Sequence, residues 1–114
     1  MEKTLKVGMG QILVEGGEPI RNLRRAVEMS KQAADNDCDL VLLPECMDLG
    51  WTHPSAKTEA KPIPGEYSDK LCEVANELSI FICAGLCEKS EGVVYNSAIL
   101  INDQGEIILK YKFK

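Results

Sequence analysis

The sequence predicts an α/β fold, and three observations carry that expectation. Short apolar runs alternate with stretches of helical periodicity, in the order expected of β-α-β units. Most glycines and prolines fall between these stretches, with Gly8, Gly10 and Gly85 inside strand-like runs. The chain closes on two strand-like segments around a strong turn signal.

Leu5, Val7 and Met9 alternate with Lys6, Gly8 and Gly10, a period of two that predicts a strand from Leu5 to Leu13. Residues 15–19 break it. Pro19 suits a first helical turn, where its missing N–H has no partner in any case. Ile20, Leu23, Val27 and Ala34 then recur at helical spacing, which predicts a helix from Pro19 to Asn36. The run from Asp39 to Pro44 is continuously apolar after its first residue, as in a strand buried on both faces, and Pro44 ends it. Residues 45–65 hold Gly50, Pro54, Pro62, Pro64 and Gly65 and read as one long loop. Loops of this length inside compact domains are often functional.

Leu71, Val74, Ala75 and Leu78 predict a second helix from Glu66 to Leu78. Ile80–Leu86 reads as another buried strand. Val93–Ile101 and Glu106–Phe113 flank the turn Asn102–Gly105 and read as a β-hairpin. The predicted order is βαβαβββ, a parallel sheet extended on one side by antiparallel strands.

The 114 residues are 45% hydrophobic and 27% charged, values that fit a packed domain rather than a disordered chain. A net charge of -5 disfavours nucleic-acid binding, which needs a basic stripe. The dense basic run is Lys110–Lys114, and Arg21, Arg24 and Arg25 read as the solvated side of an amphipathic helix. The first residues lack the apolar run of a signal peptide, and no stretch is long and apolar enough to predict a membrane span. Five cysteines, an odd number, without a secretion signal predict reduced thiols and a cytoplasmic location. The absence of a CxxC pair, with His53 as the one histidine, argues against zinc. Gly16-Gly17 lacks phosphate-loop spacing and is flanked by Glu15 and Glu18, which would repel a phosphate.

Ligands of α/β sheets gather at the carboxyl ends of the strands. Glu45 falls there, directly after Leu40–Leu43 and at the start of the long loop. Walled by Leu43, Met47 and Trp51, its carboxylate would be partly desolvated, which raises a carboxyl pKa toward a general base's range. On position alone, a solvated glutamate in a strand–loop turn is the competing reading. Trp51 and His53 either shape a pocket or pack the loop, and loop packing is the preferred reading for His53.

The segment Leu42-Leu-Pro-Glu-Cys46 after Asp39-Leu-Val41 resembles the glutamate motif of the nitrilase superfamily of carbon–nitrogen hydrolases. An ordered series of further matches spans nearly the whole chain. It comprises Lys6–Gln11, Asn22-Leu23, Pro64-Gly65, Gly85, Tyr95–Ala98, Gly105–Ile107 and Lys110-Tyr111. The resemblance implies an α-β-β-α sandwich, of which this chain would be the first half, with residues 1–114 forming a hydrolase domain incomplete at the C-terminus. It implies hydrolysis of a small amide, carbamoyl compound or nitrile by a glutamate, a lysine and a cysteine, without a metal or organic cofactor. Glu45 would be the base, and association through outer helices would give a homo-oligomer.

Two departures from the family pattern stand out. The family's lysine follows the tyrosine by two residues, and that position here is Phe113. Lys112 and Lys114 flank it, and Lys112 is taken as the candidate. Alternation in a strand sets Tyr111 and Phe113 on one face and the lysines on the other, so Lys112 reaches the site only through a bulge or register shift. The family's nucleophilic cysteine also lies beyond Lys114. Cys38, Cys46, Cys72, Cys83 and Cys87 all read as structural. The competing reading for the chain is a non-catalytic remnant that binds or self-associates at most. A nucleotide-binding domain is disfavoured by the missing glycine loop.

Overall fold

The computed structural model describes residues 3–113. Its elements are β1 (Val7–Met9), α1 (Pro19–Asp35), β2 (Leu40–Leu42), α2 (Ala56–Glu59), α3 (Glu66–Leu78), β3 (Phe81–Ser90), β4 (Val93–Ile101) and β5 (Ile107–Phe113). One five-stranded sheet runs in the order β1-β2-β3-β4-β5. The first three strands are parallel and the last three antiparallel. The α/β class and the run of strands agree with the sequence reading.

Several boundaries differ, each for a local reason. β1 covers three residues rather than Leu5–Leu13. Gly10 N–H still reaches Leu42 O, but Gln11 N–H turns back to Met9 O and the chain leaves the ladder. The long loop contains the short helix α2, and its Lys61 pairs with Glu88 along the edge of β3. β3 extends past Leu86 to Ser90, so that it forms a hairpin with β4 in addition to the predicted hairpin of β4 and β5. The β3–β4 turn is Glu91-Gly92, both at positive φ, the geometry of a tight hairpin whose twist matches the strands.

The two crossover helices pack on each other and on one face of the sheet. A sheet that grows in one direction through crossovers of one hand keeps its helices on one side. The core lies between them: Val41 of β2, Ile82, Ala84 and Leu86 of β3, and Ile99 and Ile101 of β4, against Leu23 and Ala26 of α1 and Leu71, Val74 and Ala75 of α3. Register and alternation assign the other side chains to the opposite face. Val7, Met9, Leu42, Leu109, Tyr111 and Phe113 stand there exposed, Met9 at 71% and Leu109 at 63%.

At the antiparallel end, the helix-side face holds a charge. Glu88 is 2% exposed, and its carboxylate accepts bonds from Lys110 Nζ at 2.6 Å and Ser97 Oγ at 2.8 Å. Lys110 also donates to Ile63 O at 3.3 Å, which ties β5 to the loop before α3. An isolated buried carboxylate is costly, so the pair holds these strands in register. Lys110→Ala should therefore destabilise the fold by about 1–3 kcal/mol, the cost of leaving a buried polar group unpaired. Urea denaturation reads this directly, and a change below about 0.5 kcal/mol, the range of ordinary surface substitutions, would show that the ion pair has no structural role.

Candidate active site

The side chain of Glu45 lies just past the carboxyl end of β2, over the face that the helices leave bare. Chain packing puts it there. After Leu42 the backbone continues alongside β3, with Leu43 N–H on Cys83 O, Gly85 N–H on Pro44 O and Met47 N–H on Gly85 O. Gly85 lets it pass. A Cβ at that position would fall 2.6 Å from Cα of Glu45, 2.9 Å from the Pro44 carbonyl oxygen and 3.0 Å from the Cys46 nitrogen, all backbone atoms. The glutamate turn is thus seated directly on a glycine of the neighbouring strand.

Buried polar groups anchor the loop that leaves this turn. Asp48 is fully buried, and its two carboxylate oxygens accept the Cys87 N–H at 3.0 and 3.2 Å. Burial pushes the Asp48 carboxyl above its ordinary range, and the bond from Cys87 opposes the shift. The Asp48 carbonyl accepts from Asn22 Nδ2 at 2.8 Å, and Asn22 also pairs with both the N–H and the carbonyl of Glu15. One asparagine of α1 therefore ties the loop after β1 to the loop after Glu45.

Glu45 is exposed and borders an open depression of about 520 Å³, lined also by Trp51, Val93, Val94, Tyr95, Asn96 and Phe113. Asn96 Nδ2 donates to Glu45 Oε2 at 3.4 Å. Two expectations need correction here. Leu43 and Met47 do not wall the carboxylate, because both are buried in the helix-side core, and of the three expected neighbours Trp51 alone lines the depression. The partial desolvation expected of Glu45 is accordingly missing. Asn96, which faces Glu45 from β4, is a partner that the sequence pattern did not single out as such.

Lys112 is not brought to Glu45. β5 pairs with β4 without a shift from Leu100 to Asn96, placing Lys112 opposite Ser97 on the helix-side face and Phe113 opposite Asn96 on the bare face. Lys112 Nζ donates to Ser90 Oγ at 3.0 Å and sits 4.7 Å from the centroid of the Tyr95 ring, a cation–π contact. The irregularity in the ladder lies at Leu100/Ile101, too far back to turn Lys112 over. Lys114 lies outside the described residues. His53 packs against Gly16 and accepts the Ser55 N–H at Nδ1, the loop-packing role. Of the cysteines, Cys46 and Cys87 are buried, and Cys38, Cys72 and Cys83 are partly so.

Glu45 thus presents a carboxylate at the carboxyl end of a parallel strand, held over a glycine and facing open space. The family model for carbon-nitrogen hydrolase matches residues 7–112. A nitrilase of Pyrococcus abyssi is 35% identical over 112 residues, covering 95% of this chain and 42% of that protein. An omega-amidase of Mus musculus is 34% identical over 92 residues, covering 80% of this chain and 33% of its own length. The crystal structure of an amidase from Nesterenkonia sp. superposes with a TM-score of 0.84 at 17% identity, over 95% of this chain and 42% of that one. The chain belongs to the carbon–nitrogen hydrolase family of the nitrilase superfamily, and it spans less than half the length of these relatives.

Gly85→Ala tests the seating of Glu45. Its methyl meets backbone rather than a mobile side chain end, so the glutamate turn must lift from β3. The expected loss is about 1–3 kcal/mol, the usual cost of overpacking. Equilibrium unfolding at an unchanged midpoint would show that the close approach does not constrain the turn.

Proposed function

We propose that these residues form the base-bearing half of an enzyme that hydrolyses a non-peptide carbon–nitrogen bond of a small amide, carbamoyl compound or nitrile. The observation that carries this reading is the seat of Glu45 on the bare face of the sheet, over Gly85. Family membership supports it, as does a glutamate-to-glutamine mutant of the Nesterenkonia amidase, in which acrylamide undergoes Michael addition at the active-site cysteine.

In this reading the attacking cysteine comes from outside the 114 residues. Glu45 takes its proton, which matters because a free thiol is only a few per cent ionised at neutral pH. With an amide or carbamoyl substrate the thiolate adds to the carbonyl carbon, the nitrogen leaves with a proton returned by Glu45, and a thioester remains; with a nitrile the addition gives a thioimidate, and one water converts it to the thioester as ammonia leaves. Water, deprotonated by Glu45, then releases the acid and restores the thiol. A cation at the developing oxyanion would be a large catalytic contribution. Phe113 stands where the family's lysine is expected, so that cation too must come from outside the described residues.

The odd cysteine count supports a reducing, cytoplasmic setting. An apolar groove of about 420 Å³ between α1 and α3, lined by Ile20, Leu23, Val27 and Tyr67, supports association of full-length copies through the outer helices.

A second reading, a non-catalytic form that binds or self-associates, is favoured by one observation. Among the described residues, no lysine or arginine lines the depression beside Glu45.

Amide turnover, followed by ammonia release, separates these readings. The 114-residue chain alone should show none. A form extended by the downstream coding sequence and supplying a cysteine should be active, and Glu45→Gln in it should lower kcat by about 10²–10⁴-fold, the contribution of a positioned base. Turnover by the short chain that survives Glu45→Gln, or that is lost on Cys46→Ala, would overturn the mechanism. An inactive extended form would favour the non-catalytic reading.

A further inference from the structure

Beneath the Glu45 turn lies a pair of thiols that the proposed hydrolysis does not use. We propose that Cys46 and Cys87 are a peroxide-oxidisable pair, in which Cys46 attacks the oxidant and Cys87 resolves the product to a disulfide.

The geometry comes from three independent placements. Cys87 and Asn96 are directly opposed in the β3–β4 ladder, on the bare face. The Cys46 sulfur reaches the same spot from above, 3.6 Å from Asn96 Oδ1. Cys46 and Cys87 share one small buried cluster with Leu49 and Ala60. Both backbones are held. Asp48 grips the Cys87 N–H, and the flanking bonds of Met47 N–H to Gly85 O and Gly50 N–H to Cys46 O, each 2.9 Å, fix Cys46 at a φ of 45°. A left-handed backbone at a non-glycine residue persists only where its surroundings enforce it.

The other cysteines lack this arrangement. Cys83 lies on the same face of β3 as Cys87 but four residues away, about 13 Å at strand rise. That exceeds the roughly 4.4–6.8 Å between Cα atoms that a disulfide spans. Burial pushes the thiols of Cys72 and Cys83 up. The pair itself is asymmetric. The Cys46 sulfur touches Asn96, a residue that borders the depression, whereas Cys87 lies against the buried Asp48 side chain, which takes its N–H.

The roles follow from that asymmetry. The Cys46 thiolate attacks one oxygen of hydrogen peroxide, the O–O bond breaks, and hydroxide leaves to become water. The Cys87 thiol attacks the resulting sulfenic sulfur, an S–S bond forms, and a second water leaves. Two thiols are oxidised and one peroxide is reduced to two waters. Asn96 borders the depression and touches the Cys46 sulfur, and it also donates to Glu45. Oxidation removes the S–H that Cys46 gives to Asn96, so the state of the pair is felt one bond away from the carboxylate.

Peptide mapping of the reduced 114-residue chain after brief treatment with hydrogen peroxide and alkylation tests this. The expected product carries a Cys46–Cys87 link, a mass loss of two hydrogens, and three alkylated thiols in place of five. In Cys87→Ser, dimedone should label Cys46. In Cys46→Ser, Cys87 should stay unlabelled. Mapping of the unsubstituted chain reads the linkage without depending on how either variant folds. Uniform oxidation of all five cysteines, a disulfide joining other residues, or no oxidation at Cys46 would overturn the proposal.

Discussion

The bare apolar face of the sheet is the constraint from which the rest of the structure takes its meaning. α1 and α3 cover one face, and the other presents Met9, Leu42, Leu109, Tyr111 and Phe113 to solvent. Each hundred Å² of apolar surface left wet forgoes about 2.5 kcal/mol, and contiguous apolar patches of this kind mark interaction surfaces. We propose that a second layer covers the face bearing Glu45. A layer packed there would also desolvate Glu45. In the α-β-β-α arrangement implied by the family, that layer is a second sheet.

Against this face the glutamate turn is built with little freedom. Its backbone rests on Gly85, and its outgoing loop is pinned by Asp48 to β3 and by Asn22 to α1. Buried polar groups that are fully paired rigidify their surroundings, because any displacement leaves one of them unsatisfied. The carboxylate is thus fixed by backbone packing two strands deep rather than by its own contacts, of which Asn96 is the one across the sheet.

Much of this was legible in the sequence. The apolar run ending at Pro44 located Glu45 at a strand's carboxyl end, and strand alternation placed Lys112 away from the face of Phe113. The extension of β3 to Ser90 was not legible, because Glu88 and Lys89 interrupt the apolar pattern, and the burial of Glu88 depends on Lys110 from two strands away. Asp48 read as an ordinary loop residue, because its partner, the Cys87 N–H, lies 39 positions on. Asn96 and the Cys46–Cys87 contact escaped for the same reason: periodicity reports which face a residue takes, not which distant residue meets it there. Gly85 was noted for its match to the family, and the physical cause, the passage of Glu45 over it, appears only in three dimensions.

The claim that the Glu45 face is an interior face is tested most directly by sedimentation velocity of the purified 114-residue chain, with a thermal melt on the same sample. An uncovered face predicts self-association or aggregation and a marginal melt. A monodisperse monomer that unfolds cooperatively above about 60 °C, the upper part of the mesophile range, would contradict it and show that the sheet needs no second layer.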